Sequence, residues 1–377
     1  MHLARGQGAV IIGRAPISEI LGRPDLTADR RQQFELIGAI LQYADSLGLA
    51  TGDNYTTYYD TGDAPVSWNV SASPPDRFEP YRWEFPLVGS VPYKGFFERQ
   101  RAVGQRDALI AAGYDAIMRP VGAYSTLGYF SDPVLSGMLQ YAPDQLADLI
   151  LHELTHATAF APDHIDFNES MATFVGRRAS LDFIAQHFGP KTPLLEQARQ
   201  RRAEAALFNE FMAGTVAALD SLYALSLPRE EVLKQRSTVF SQRQHLFATI
   251  EFSSNRYAGF TSWEINNARL LSYRRYHTEL ESFQRVLTIF NGDLRGAIRA
   301  FARCAATADP WQCLRSIAEL GRGLRLEKGE YLAQLTILPV SFQPLGNKVA
   351  SFCRPASPTQ EFHQRAQDSN IPFTLPV

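Results

Sequence analysis

The chain has 377 residues, 45% of them apolar, which is enough to bury a large core in one unit or two. Its 37 basic and 39 acidic side chains leave a net charge of −2 with no block of like charges, which argues against nucleic acid or an anionic membrane surface as a partner. No apolar run approaches the roughly 18 residues of a membrane helix, and "MHLARGQGAVIIGRAP" has no cleavage pattern of a signal peptide.

The first predicted element is an amphipathic helix in "LTADRRQQFELIGAILQYADSLGL", with Phe34, Ile37, Leu41, Ala44 and Leu47 on one stripe and Gly48 at its C-terminal cap. "PVSWNVSA" alternates, with Val66, Trp68, Val70 and Ala72 on one side, and reads as a half-buried strand. "WEFPLVGSVPYKGFF" reads as a second strand region, which Pro86 and Pro92 confine to an edge or a bulge. "DAIMRPVGAYSTLGYF" reads as a third, so residues 60–130 are expected to form a small antiparallel sheet. From Pro143 onward helical patterns dominate. "QARQRRAEAALFNEFMAGTVAALDSLYALS" places Leu207, Phe211, Ala218, Leu222 and Leu225 at helical spacing, and "REEVLKQRSTVFSQRQHLFATIEF" and "ELESFQRVLTIF" continue the style. Cys304 and Cys313 flank a turn between helices at a spacing that allows a disulfide. With Cys353 they are the chain's three cysteines, and no C-x-x-C is present for a thiolate zinc site. The expected fold is α+β, mostly helical, in one unit over 1–377. It divides into a helix and small sheet (1–142), a helical hairpin (143–190), a helical region (191–353) and a Pro-rich tail (354–377).

Chemistry concentrates in "LHELTHATAFAPDHIDFNESMATFVG". His152, Glu153 and His156 form H-E-x-x-H on a helix that starts at Pro143 and that Pro162 is expected to end. Imidazoles four residues apart stack on one helix face and can grip one zinc ion, with the adjacent glutamate facing a bound water as general base. Two chance histidines inside an apolar helix would be costly to bury unpaired. A second helix is expected to begin with Asp166 as its N-cap. Folded back across "APDHI", it would bring Glu169 to face His156 as the third ligand. Asp166 and Glu169 also fit a capping box, in which the glutamate serves the backbone alone. The three protein ligands of a catalytic zinc favour the ligand role, and His164 at the turn is the rival ligand.

These motifs, with "GQGAVIIGRAPI", "VSWNV", "FPLVGSVPYKGFF", "GAYSTLGYFSDPVLSGML", "FNESMATFVG" and "NNARLLSYRRYH", resemble the bacterial putative aminopeptidase family across nearly the whole chain. The hairpin itself resembles the gluzincin metallopeptidases. The resemblance implies a gluzincin-like core and a zinc-dependent peptidase acting on peptide or protein substrates. It implies that Gly122, Ala123, Tyr124 and Ser125 bind an extended substrate by backbone pairing, with Gly122 allowing close approach. In family-like "RLLSYRRYH" it favours Tyr276 as oxyanion donor among Tyr223, Tyr257, Tyr273 and His277. The implied location is the bacterial envelope, facing the periplasm. The chain departs from the family at Glu84 and Ser90, where cysteines are common, and in lacking a lipoprotein signal. Where many gluzincin aminopeptidases carry the glutamate of G-x-M-E-N to hold the substrate's α-ammonium, "GAYST" has no carboxylate, leaving Asp132 and Glu264 as other acids to consider. A zinc-stabilised binding or scaffold protein without turnover is the competing reading. Glu153 argues against it, since a structural zinc needs no base and prefers four protein ligands. Neither G-x-S-x-G, a P-loop nor a dinucleotide fingerprint is present.

Overall fold

The structure, a computed structural model, describes residues 10, 12–62, 64–85, 89–124, 131–262, 265–323 and 353–355. It is α+β and mostly helical. A short helix, α1 (Ile17–Leu21), precedes the first long helix, α2 (Ala28–Ser46), which is capped by Thr27, whose side chain accepts from the Arg30 amide, and followed by Gly48 at φ 78°. Its buried seam is Phe34, Ile37, Ile40 and Ala44. Ile40 takes the place expected for Leu41, which is only half-buried.

The strand Trp68–Ser73 starts two residues later than its pattern suggested and is buried on both faces rather than one, because helices cover its second side. It is the centre of an antiparallel sheet. Lys94–Phe96 pairs on one side and Asp115–Tyr124 on the other, with Trp68 opposite Pro120 and Ser73 opposite Asp115. On the far edge, Cys353–Pro355 pairs antiparallel with the end of Asp115–Tyr124, across a register break between Val121 and Ala123. Gly122 sits in that break, where a bulge re-aims the strand. The second predicted strand region splits into Trp83–Phe85, Gly89–Val91 and Lys94–Phe96. A separate pairing of Thr57–Tyr59 with Val134–Leu135 is parallel.

One element within 60–130 is a helix, α3 (Arg99–Ala111), which the strand reading did not anticipate. It buries only Ala102 and Leu109, so its apolar period is faint. Downstream, Pro193–Tyr223 turns Phe208, Phe211, Met212, Leu219 and Leu222 inward. Leu207 and Leu225, expected on that stripe, are exposed; Leu225 falls beyond the helix end. Arg229–Phe247 and Asn267–Arg274 complete this second core with an aromatic cluster around Phe208 and Phe260.

The largest core joins Ala28–Ser46 to two long helices, α4 (Pro143–Thr158) and α5 (Ile165–His187), and to the C-terminal helices Leu280–Ile289, Leu294–Ala305 and Pro310–Gly323. The last two are cross-linked by the Cys304–Cys313 disulfide. Among the described residues no helix is long and apolar enough to cross a membrane.

Candidate metal centre

Helix α4 is buried on nearly every side from Leu146 to His156, more than the single apolar face its sequence displays. It ends at Thr158, before Pro162, because Ala159 is extended at φ −148° and ψ 131°. The chain then reverses in a turn held by one side chain: Asn168 accepts from the Ala161 amide (2.7 Å) and donates to the Ala161 carbonyl (2.8 Å). Helix α5 follows with His164 at its N-cap and no capping side chain. Asp166 is therefore inside the first turn rather than at the cap, and the capping box does not form.

Glu169 faces the histidines instead. Its Oε2 lies 3.4 Å from His152 Nε2 and 3.6 Å from His156 Nε2, and the two nitrogens are 3.2 Å apart. All three side chains are buried, and together they could hold a metal ion. Burial by itself would raise the Glu169 pKa. The facing imidazoles outweigh it and hold the carboxyl well below the usual carboxylate range. Glu153, next to His152 on α4, is buried as well.

The helices can meet this closely because of Gly176 on α5. A Cβ there would stand 2.7 Å from both the Asp148 carbonyl and its Oδ1, and 3.1 Å from His152 Cβ. Behind α4, Arg202 donates to Asp148 Oδ2 (3.2 Å) and Arg201 Nε donates to Asp144 Oδ2 (3.1 Å), bracing two buried acids against Pro193–Tyr223. Asn168 and Gly176 fall within family-like "FNESMATFVG" with no role read from them, and Asp144 and Asp148 fall outside every motif. The acids are spaced four apart in an otherwise apolar helix, and that oddity is the one signal the sequence carries.

Among the tyrosines, Tyr276 comes to the centre: it is buried, with its ring centroid 6.3 Å from that of His152. Ser170, next to Glu169, ties this segment to α5. Its hydroxyl reaches the Arg275 carbonyl (3.4 Å) and accepts from the Thr278 amide (3.2 Å). The other candidates have structural posts. Tyr223 donates to Asn267 Oδ1 (2.9 Å), and Tyr257 stacks on Phe208 at 4.3 Å. Tyr273 donates to Asn209, and burial raises its phenol pKa. His277 meets Arg177 Nη2 at 2.8 Å and stacks on Tyr273. His164 lies outside the cluster of His152, His156 and Glu169.

Gly122, Ala123 and Tyr124 form the end of the long strand, whose edge is paired with Cys353–Pro355. Ser125 and Glu264 lie outside the described residues. Asp132 is buried beside Asn54, which accepts from its amide (2.9 Å).

A family model described as "Putative aminopeptidase" matches residues 1–311. No curated protein and no solved structure matches the chain.

Proposed function

The chain belongs to the putative aminopeptidase family, and from that premise we propose that it is a zinc-dependent peptidase of gluzincin type. One observation carries the reading. The ligand atoms of His152, His156 and Glu169 form a triangle with sides of 3.2, 3.4 and 3.6 Å. The point equidistant from them lies about 2.0 Å from each, the length of a zinc–nitrogen or zinc–oxygen bond. Two imidazoles and a carboxylate are also a donor set of catalytic zinc, which keeps a further position open.

Zinc held there would polarise a peptide carbonyl and acidify a water, lowering its pKa to roughly 7. Glu153 takes the proton of the attacking water and returns it to the amine nitrogen as the peptide bond breaks. The Tyr276 phenol donates a hydrogen bond to the carbonyl oxygen as negative charge gathers on it. Gly122, Ala123, Tyr124 and Ser125 hold the substrate backbone. Cys353–Pro355 pairs with that same edge, so substrate pairing there requires this segment to leave. The Cys304–Cys313 disulfide supports an oxidising location such as the periplasm.

The test is zinc content together with cleavage of a peptide library read by product mass. About one zinc per chain, lost in His152→Ala and His156→Ala, with new peptide fragments from the wild type, is the expected result. Zinc binding without any cleavage would leave a scaffold protein. Unchanged zinc stoichiometry in both histidine variants would overturn the ligand assignment.

A further inference from the structure

A cavity of about 250 Å³ lies at the start of α5. Arg82, Arg274 and Arg275 border it, together with Trp311 and the carboxylates of Asp163 and Asp166. Both acids and Arg82 are exposed, and Arg274 is half-buried. Arg275 differs, because its side chain is only 8% accessible.

That guanidinium sits over the Tyr93 ring, 5.3 Å from the centroid. Its one carboxylate neighbour among the described residues, Asp166 Oδ1, stands 4.0 Å from Nε, beyond hydrogen-bond reach, on a side chain 59% accessible. No described group accepts a hydrogen bond from it. Other arginines of this protein that pack inward do have acceptors: Arg202 bonds Asp148 and Ser180, and Arg243 bonds Thr215 and the Phe211 carbonyl. The Arg275 nitrogens are not among the buried groups sealed from solvent, so its five donors open onto the cavity that the residue lines.

We infer that this cavity is a subsite for a carboxylate of the substrate peptide, either its C-terminus or an Asp or Glu side chain, received by Arg275. The inference rests on the peptidase reading. Guanidinium and carboxylate match as a two-point fork, which Asp166 at 4.0 Å does not satisfy. The flanking Asp163 and Asp166 penalise a dianion such as phosphate more than a monoanion. The volume is below the roughly 300–1,000 Å³ of whole-ligand sites, so it suits one residue of a peptide. Its position suits that residue too. Asp166 on the cavity and Glu169 at the metal triad are three residues apart on α5, about 4.5 Å of helix rise. Arg275 in the cavity and Tyr276 beside His152 are consecutive.

The experiment uses the full zinc-loaded chain and two matched peptide pairs: free acid against C-terminal amide, and internal Glu against internal Gln with both termini blocked. kcat/KM is measured for all four with the wild type, Arg275→Gln and the rim variant Arg274→Gln. Calorimetric binding of the same peptides is measured independently of turnover. A charged hydrogen-bonded contact predicts that the wild type prefers one carboxylate form about 10–100-fold. That ratio collapses in Arg275→Gln while its amide and Gln rates stay near wild type, and it shrinks in Arg274→Gln. The pair that shows the ratio tells terminus from side chain. Cleavage of all four at equal efficiency overturns the subsite and leaves the peptidase. If nothing is cleaved, the peptidase reading falls, and binding decides: carboxylate preference that depends on Arg275 upholds the subsite, and none overturns it. Should Arg275→Gln fail to fold, the ratio in Arg274→Gln decides instead: a shrunken ratio upholds the subsite, and an unchanged one overturns it.

Discussion

Substituting alanine for Gly176 tests whether close helix crossing builds the proposed metal centre. The new Cβ would meet the Asp148 carbonyl and Oδ1 at 2.7 Å and His152 Cβ at 3.1 Å. The carbonyl is fixed in α4, and the carboxylate is held by Arg202 at 3.2 Å, so neither can yield freely. The helices must part by roughly 0.7 Å to restore ordinary contact. In a helix interior, glycine to alanine otherwise stabilises by about 1 kcal/mol, whereas overpacking costs about 1–3 kcal/mol. Gly38 supplies the comparison, since it lies within Ala28–Ser46 and a Cβ there meets nothing within 4 Å. Gly38→Ala should stabilise by up to about 1 kcal/mol. Gly176→Ala should fall below it by about 1–3 kcal/mol, the overpacking alone. Parting the helices also draws Glu169 from the histidines, and metal affinity should drop about 10–100-fold, as when a supporting group is disturbed. Urea midpoints and competition with a zinc chelator measure the two effects. Equal stabilisation in both variants with unchanged zinc affinity would mean that the close crossing plays no part in building the centre.

Glu153→Gln should retain one zinc and lose about 10²–10⁴ in kcat, because an amide cannot take the water's proton; turnover at the wild-type rate would remove Glu153 as the base. Opening the Cys304–Cys313 bridge, which closes a short loop between two core helices, should cost about 2–3 kcal/mol. A urea midpoint unaffected by reductant would contradict that. Acetylating the N-terminus of a cleaved peptide should reduce kcat/KM less than about a hundredfold, or 2.7 kcal/mol, since "GAYST" carries no acid to hold an ammonium. A larger loss would reveal an anionic anchor elsewhere in the site.

Some of this molecule follows from short-range pattern alone. H-E-x-x-H places two imidazoles on one face wherever its helix forms, because i and i+4 coincide on a 3.6-residue period. The seam Phe34, Ile37 and Ala44 is legible for the same reason, and the alternation of "SWNVSA" marks a strand through its period of two. Glu169 shows where local reading stops. Its spacing from Asp166 fits a capping box as well as a ligand, and the two are identical as strings. Which way its side chain faces falls to Asn168 clamping the turn, His164 taking the cap and Gly176 admitting α4. Burial of the strand Trp68–Ser73 on both faces, the parallel pairing of Thr57–Tyr59 and the convergence of Arg275 with Asp166 likewise depend on partners distant in the chain. A periodic pattern tells which face of an element is apolar, because that face repeats along the element itself. Which surface covers it, and how near two helices may come, is decided by packing at a single glycine, turn or ion pair that no period announces.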